Sequence, residues 1–229
     1  MKNLERVEKI AATYNKLITP YDEWYKANKW IYDLEIECVK KALHLIKKET
    51  GYVNAIEFGI GTGRFASYLH NPEEKINLKF GMDISLEALK IAKKRGCIVW
   101  LADMNSVNFK PGIFNTFVFI TSFCYLTKYE KANILKTLKL HSENTSSFII
   151  VGTVPGETPL GQIYSQQRNY IEFFSHIEEF STSEELINLF ESQSAKFVKY
   201  WGFKIVDSDS SSSIKEEVND FTVFLFKLE

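Results

Sequence analysis

The stretch EFGIGTGRF, residues 57–65, decides the fold, because it joins a predicted buried strand to a predicted helix. Gly59, Gly61 and Gly63 have no Cβ and tolerate positive φ, so a ligand can lie directly against backbone N–H groups where the helix begins. In the dinucleotide fingerprint G-x-G-x-x-G, the third glycine or alanine would fall at position 64, which is Arg64. The spacing therefore argues against a pyrophosphate ligand. Taken alone, the turn is also compatible with a tight connection that binds nothing.

Two acidic residues follow neighbouring strand patterns. Asp83 comes after a strand predicted at 77–82, and Asp103 ends a strand predicted at 98–102. The carboxyl ends of parallel strands meet at the edge where open α/β folds bind ligands, and Asp83 is spaced to accept both hydroxyls of a ribose. Either acid is also suited to capping the helix or turn that follows it.

Strand and helix patterns alternate through the middle of the chain, which predicts an α/β fold with a parallel sheet covered on both faces. The last third differs, because the two final strands have no helix between them and are predicted to pair antiparallel through a polar connector, 208–220. Strands are predicted at 53–58, 77–82, 98–102, 115–121, 146–154, 202–206 and 221–228, and helices at 63–70, 85–95, 129–143 and 183–200.

Helical spacing also marks the beginning of the chain. It covers residues 4–17, is interrupted at Thr19-Pro20, and resumes as a long amphipathic helix over 28–49. The segment 155–182 has weak order signals, and long loops of this kind often cover ligand sites. We therefore expect helices within 1–50 and a substrate lid at 155–182.

Composition predicts one ordinary globular domain over residues 1–229, with 45% apolar residues. A net charge of −1 does not favour nucleic acid or an anionic membrane as a partner. The three cysteines are too widely separated for a zinc or redox motif, so no metal site is predicted. The charged beginning lacks a signal-peptide pattern, and no apolar run approaches the length of a membrane span, so a cytoplasmic location is expected.

With Glu57 and the three glycines in register with both acids, residues 20–229 resemble the class I S-adenosylmethionine (SAM)-dependent methyltransferases. The resemblance implies a Rossmann-like seven-stranded mixed sheet of order 3-2-1-4-5-7-6, an antiparallel last strand and an N-terminal helical lid. It implies SAM as cofactor and S-adenosylhomocysteine as product. It also implies the cofactor contacts, with Glu57, Gly59, Gly61 and Gly63 at the methionine portion, Asp83 at the ribose, Ile84 on the adenine ring, Asp103 and Met104 at the adenine edge, and Thr121 near the sulfonium.

The segment YDEWY, residues 21–25, resembles the aromatic lid motif of small-molecule members of this family. Tyr21 and Trp24 are therefore expected to close over the cofactor, where aromatic faces attract a sulfonium by roughly 0.5–2 kcal/mol. The alternative is a cluster of aromatic side chains that packs on the core.

Methyl transfer from SAM demands mainly positioning and exclusion of water, so few catalytic side chains are obligatory. If the acceptor carries a proton, a general base is wanted. Tyr125 and His176 are the candidates. A packed aromatic turn accounts equally well for Tyr125, and a lone histidine beside aromatic residues, such as His176, is more often structural than catalytic. Three more lid residues are possible bases: Glu157, Tyr164 and Glu178.

A small-molecule acceptor is favoured by elimination. Residues 121–124 lack the Asn/Asp-Pro-Pro-aromatic run typical of enzymes that methylate amino groups of bases or of protein glutamine. Cys124 does not follow a proline, as the nucleophile of cytosine carbon-5 enzymes does. Three alternatives remain open at this point: a non-catalytic SAM-binding module, a SAM-using enzyme that transfers no methyl group, and an NAD-dependent oxidoreductase, which Arg64 opposes.

Overall fold

A seven-stranded mixed sheet forms the centre of the computed structural model, which describes residues 2–106, 109–142, 146–205 and 213–229. Within these ranges the strand order is β3-β2-β1-β4-β5-β7-β6, and β7 runs antiparallel to both of its neighbours. The predicted fold class is therefore confirmed. The strands are β1 Val53–Phe58, β2 Ile76–Asp83, β3 Ile98–Leu101, β4 Thr116–Ile120, β5 Phe148–Thr153, β6 Ala195–Phe203 and β7 Phe221–Leu228.

Helices cover both faces of the sheet, because alternate strand residues point to opposite sides. In β1, Val53 and Ala55 join an apolar cluster with α2, α3 and α4, whereas Ile56 and Phe58 join a second cluster with α5 and α7. The helices are α1 Lys2–Ala27, α2 Lys29–Thr50, α3 Arg64–Leu69, α4 Leu86–Lys94, α5 Lys128–His141, α6 Pro159–Gln167 and α7 Ser183–Ser192.

The predicted interruption at Thr19-Pro20 is wrong, since α1 continues through it to Ala27. Proline removes one backbone hydrogen bond, to the carbonyl four residues earlier. Here that carbonyl belongs to Lys16, and both Lys16 and Pro20 are exposed, so water can replace the missing donor. The predicted long second helix is confirmed and ends at Gly51, whose φ of 83° is the left-handed conformation expected of a C-terminal glycine.

The helix predicted over 183–200 is also wrong in its second half. It ends at Ser192, and residues 195–203 form β6, which pairs with β7 from Ala195 opposite Leu228 to Phe203 opposite Phe221. Pairing with a neighbouring strand has overridden the helical spacing of the apolar residues. The first residues of the predicted connector, 208–212, lie outside the described residues.

The segment 155–182 is not a loop throughout, because it contains α6. No helix in the described part of the chain combines the length and the apolar character needed to cross a membrane.

Candidate functional site

The glycine turn between β1 and α3 lies at the carboxyl edge of the sheet, and Gly59 and Gly61 there have φ values of 72° and 54°. The N–H of Gly59 donates to the Met82 carbonyl at 2.8 Å, which fixes the turn to β2. A Cβ on Gly59 would lie 2.5 Å from Ser122 Cβ, whereas a Cβ on Gly61 would meet nothing within 4 Å. The turn is therefore packed below Gly59 and open at Gly61, as a surface for a ligand requires.

Gly63 has a different role. It precedes the first residue of α3 with a φ of 71°. A Cβ there would lie 2.7 Å from Cys97 Sγ and 2.9 Å from Ala92 Cβ. This glycine allows the turn to pack closely against α4 and the start of β3, and it does not line the cavity described below.

Asp83, at the end of β2, organises the same turn. One carboxylate oxygen accepts the N–H of Gly61 at 2.8 Å, and the other accepts the N–H of Ser85 at 2.8 Å. The cap of α4 is Ser85 itself, whose hydroxyl accepts from Ala88 N. Burial raises the pKa of Asp83. The carboxylate thus holds the glycine turn next to the start of α4.

Glu57 is the most deeply buried acid at this edge, with 2% of its surface exposed. Its Oε2 is buried without a hydrogen-bond partner among the described residues. Burial raises the pKa of Glu57 well above its usual value, and the neighbouring charge of Asp83 acts in the same direction. An unpartnered buried oxygen is costly, and a positively charged ligand group beside it would remove that cost.

An open cavity lies over these groups. Gly63, Trp24 and His176 do not line it. The predicted site residues that do are Tyr21, Glu57, Gly59, Gly61, Asp83, Ile84, Asp103, Met104, Thr121 and Tyr125.

Helix α1 forms the wall opposite the sheet. Ile10, Tyr14, Ile18 and Tyr21 follow one another at three- and four-residue steps and line the cavity together. The helix buries this stripe against the cavity and the carboxyl edge of the sheet, so it covers the site.

Asp22 fastens the C-terminal part of α1 to the glycine turn. Its carboxylate pairs with Arg64 and, at 2.8 Å, with Arg95 Nη2, and it accepts the Thr62 hydroxyl at 3.0 Å. The Arg64 guanidinium also lies 4.8 Å from the centre of the Tyr25 ring, a favourable cation–π arrangement. Helix α1 is thereby bonded to the glycine turn.

A cluster of aromatic rings lies beside Thr121, which directly follows β4 and has a φ of 52°. The hydroxyls of Tyr14 and Tyr125 are in hydrogen-bonding contact, and the Tyr125 hydroxyl donates to the Phe173 carbonyl at 3.0 Å. The Phe173 ring packs 5.6 Å from that of Tyr14 and 5.5 Å from that of Tyr21. Burial raises the pKa of both Tyr14 and Tyr125 well above the usual value.

Besides Gly63, two predicted site residues are not brought to the cavity. Trp24 is 44% exposed and packs edge-on against Tyr25, with ring centres 5.0 Å apart. His176 Nε2 lies 2.9 Å from the Thr13 hydroxyl, and burial lowers the pKa of this imidazole. Both placements agree with the packing alternatives open to these residues.

The other candidate bases of 155–182 serve as structural contacts. Glu157 accepts the N–H of Ser183 at 3.0 Å, at the start of α7. The Tyr164 ring packs against that of Phe174, and Glu178 accepts from Arg6. The segment contributes to the site through Phe173, which supports the tyrosines from behind.

Sequence reasoning missed Tyr14 and Asp22. The signal for Tyr14 was its helical spacing from Ile18 and Tyr21, which the assumed break at Pro20 concealed. Asp22 lies between aromatic residues in the YDEWY segment, and no local pattern shows that its partners are about 40 and 70 residues away.

Comparison with known proteins agrees with this geometry. The family profile described as "Methyltransferase domain" matches residues 56–139. An uncharacterized protein of Methanocaldococcus jannaschii is 30% identical over 205 residues, which are 89% of this chain and 91% of that protein. An uncharacterized protein of Mycobacterium tuberculosis is 26% identical over 63% of this chain and 46% of its own length.

Solved structures share the whole fold. A Thermotoga maritima SAM-dependent methyltransferase, described as a possible histamine N-methyltransferase, has a TM-score of 0.73 at 22% identity and covers 95% of this chain and 99% of its own. Magnesium protoporphyrin IX methyltransferase of Synechocystis, with bound S-adenosylhomocysteine, has a TM-score of 0.66 at 10% identity and covers 98% of this chain and 100% of its own.

The fold and the glycine turn with its strand-end acids define a class I methyltransferase domain. The chain belongs to the SAM-dependent methyltransferase family, as the sequence resemblance predicted. This membership excludes the NAD-dependent alternative and identifies SAM as the methyl donor.

Proposed function

We propose that the protein transfers the methyl group of SAM to a small-molecule acceptor that binds in the same cavity, beneath α1. The observation that carries this proposal is the covered cavity itself. One part of its wall is the glycine turn with its acids, another is the cluster of Tyr14, Tyr21 and Tyr125, and α1 lies across both. A small molecule fits under such a cover, whereas a polymer would have to displace the helix.

The residues present fit SAM. Gly61 presents an open backbone surface, and the unpartnered oxygen of Glu57 suits the cationic amino group of the methionine portion. Asp83 has lone pairs left to accept ribose hydroxyls, because the two carboxylate oxygens offer about four acceptor sites and the bonds from Gly61 and Ser85 occupy one on each oxygen. Ile84 and Met104 offer apolar surface for the adenine ring, and the residues at its polar edge are Asp103 and the Met104 N–H.

When bound, SAM supplies an activated methyl group on a positively charged sulfur. The protein's own contribution is positioning, for which a near-attack arrangement is worth up to about 7–11 kcal/mol. Helix α1 and Thr121 hold the acceptor next to the donor, and α1 excludes water. The small acceptor is also consistent with the Thermotoga maritima neighbour, whose possible substrate is a small amine.

Calorimetry with SAM, S-adenosylhomocysteine and NAD tests the cofactor assignment. We expect SAM and S-adenosylhomocysteine to bind, NAD not to bind, and Asp83→Ala to weaken SAM binding at least tenfold. Glu87→Gln, which changes an exposed carboxylate in the first turn of α4, is the matched control. Unchanged affinity in the Asp83 variant contradicts the ribose assignment.

A screen of small molecules that follows S-adenosylhomocysteine formation tests the acceptor class. Oligonucleotides and folded proteins serve as the comparison set. Methylation of a polymer, with no turnover of any small molecule, contradicts the proposal.

A further inference from the structure

The hydrogen bonds that link the Tyr14 hydroxyl, the Tyr125 hydroxyl and the Phe173 carbonyl have a fixed donor-to-acceptor direction. A phenol carries one proton, and the proton of Tyr125 is donated to the Phe173 carbonyl. In the contact between the two hydroxyls, Tyr14 must therefore be the donor and Tyr125 the acceptor. The Tyr14 oxygen is left with lone pairs and no proton to offer a ligand, so the acceptor molecule has to bring the donor.

The charges around the cavity disfavour an anionic acceptor. Among the described residues that line the cavity, the cationic side chains are Arg6 and Arg64. Arg6 Nη2 lies 2.6 Å from Glu130 Oε1, and its Nη1 donates to the Tyr125 carbonyl at 2.8 Å. Arg64 is paired with Asp22. Asp22 is shared with Arg95. Both cations that line the cavity already have a carboxylate partner, so a carboxylate or phenolate acceptor would have to compete with that partner for them.

The hydrogen-bonded hydroxyls of Tyr14 and Tyr125 cannot remove a proton from the acceptor. The chain of hydrogen bonds ends at the carbonyl of Phe173, which does not take up a proton at neutral pH. Burial raises the pKa of both hydroxyls, so neither Tyr14 nor Tyr125 ionises to become a base. An alcohol would have to lose its proton as it reacts, whereas an uncharged amine has a lone pair ready while it still carries an N–H.

We propose that the methyl acceptor is an uncharged amine whose N–H donates to the hydroxyl oxygen of Tyr14, which makes Tyr14 the residue that positions the acceptor. This proposal rests on the methyltransferase function proposed above. The nitrogen lone pair forms the new bond to the methyl carbon while the carbon–sulfur bond breaks, and that electron pair stays on sulfur. The nitrogen becomes an ammonium, which loses its extra proton to water after release.

The aromatic cluster suits this change of charge. The Tyr14 ring centre is 6.5 Å from that of Tyr21 and 5.8 Å from that of Tyr125. Positive charge leaves the sulfur and develops on the nitrogen during the reaction, and aromatic faces attract a cation by roughly 0.5–2 kcal/mol. The rings thus stabilise the positive charge both on the sulfur before the transfer and on the nitrogen after it.

Isosteric pairs of acceptors test the proposal. SAM binding is first measured by calorimetry. Turnover is then compared for benzylamine against benzyl alcohol, phenethylamine against 2-phenylethanol, and aniline against phenol. We expect kcat/KM to be at least tenfold higher for the amine of a pair. For ring-substituted benzylamines, the acid limb of kcat/KM should move with the pKa of each amine, because the uncharged form reacts.

Tyr14→Phe removes the hydroxyl and keeps the ring. We expect the affinity for SAM and the midpoint of thermal unfolding to stay close to those of the wild type. Calorimetric binding of the preferred amine to the S-adenosylhomocysteine complex should weaken about tenfold. Tyr129→Phe, at a residue that is 75% exposed on α5, is the matched control and should change none of these.

The outcomes separate the two proposals. Failure to bind SAM overturns the proposed function and this inference with it. If SAM binds, three results overturn the inference alone: faster methylation of the alcohols, no methylation of any amine, or an acid limb at the same pH for every benzylamine. Unchanged amine binding by Tyr14→Phe removes Tyr14 from its positioning role.

Discussion

Gly81, near the carboxyl end of β2, controls the position of the glycine turn although it does not belong to it. A Cβ at Gly81 would lie 2.4 Å from Ile60 Cδ1, 2.7 Å from Ile60 Cβ and 2.9 Å from Ile60 Cγ1. Carbon atoms prefer separations of about 3.5–4.0 Å, so Gly81→Ala must push Ile60 away by about 1 Å. Ile60 lies between Gly59 and Gly61, so this displacement reaches the backbone that we assign to the cofactor.

Overpacking of this kind costs about 1–3 kcal/mol, and part of that cost is offset because alanine suits a strand better than glycine. A displacement of about 1 Å at a binding surface is large enough to cost tenfold to a hundredfold. We therefore expect Gly81→Ala to bind SAM at least tenfold more weakly, as measured by calorimetry. The loss of stability in thermal unfolding should be smaller than the cost of overpacking alone.

Two further variants separate the clash from a general loss of stability. Gly112 has a φ of 77° and nothing within 4 Å of an added Cβ, so Gly112→Ala costs about 1–2 kcal/mol of backbone strain without touching the turn. Adding Ile60→Ala to Gly81→Ala removes two of the three close contacts, so part of the affinity should return. Unchanged SAM affinity in Gly81→Ala, or an equal loss in Gly112→Ala, would refute the reasoning.

Three other perturbations probe the lid and the buried acids. Asp22→Asn removes the charge that holds α1 to the glycine turn. We expect α1 to become more susceptible to limited proteolysis and SAM to bind at least tenfold more weakly. Glu23→Gln, which alters an exposed ion pair on the same helix, should change neither measurement. Burial raises the pKa of Glu35 to about 8, so the folded protein favours the protonated form of this carboxyl. The free energy of unfolding should therefore fall by up to roughly 5 kcal/mol as pH rises from about 4.5 to 8. In urea titrations across that range Glu35→Gln should make the fall shallower, and an identical slope would contradict the assignment. The pKa of Glu57 is also raised by burial, so a cationic amino group of the ligand beside this carboxyl should expel its proton. Calorimetry in buffers of different ionisation enthalpy should then show proton release on binding of both SAM and S-adenosylhomocysteine. Absence of proton release would argue against contact between Glu57 and the amino group.

The glycine turn and its acids could be predicted because their positions follow from local patterns. Each strand of the parallel part begins and ends where its own apolar run does, and parallel strands bring their carboxyl ends to one edge. Glu57, Asp83 and Asp103 therefore meet for reasons that three short segments contain. The antiparallel end of the sheet was predictable on the same ground, since no helical pattern separates the last two strands.

The start of β6 and the packing role of Gly63 were not predictable in this way, because each depends on a partner distant in sequence. Residues 195–200 have apolar spacing that fits a helix, and only pairing with β7 makes them a strand. Gly63 has the appearance of a ligand contact until Cys97 and Ala92 are seen against it. Trp24 shows the reverse case, since a residue type suited to a lid lies on the outer side of the helix.

Helix α1 joins the glycine turn and the tyrosine cluster into one site. Near its beginning Arg6 is paired with Glu130 of α5, at its middle Asn15 accepts the Ser85 hydroxyl at 2.9 Å, and further on Asp22 is held by Arg95. These anchors span 16 residues, or about 24 Å of helix, and Tyr14 lies between the outer two. A helix fixed at three points cannot shift at Tyr14 while it stays in place at the glycine turn. The position of the acceptor-binding hydroxyl is therefore set by the same contacts that close the cavity over the cofactor.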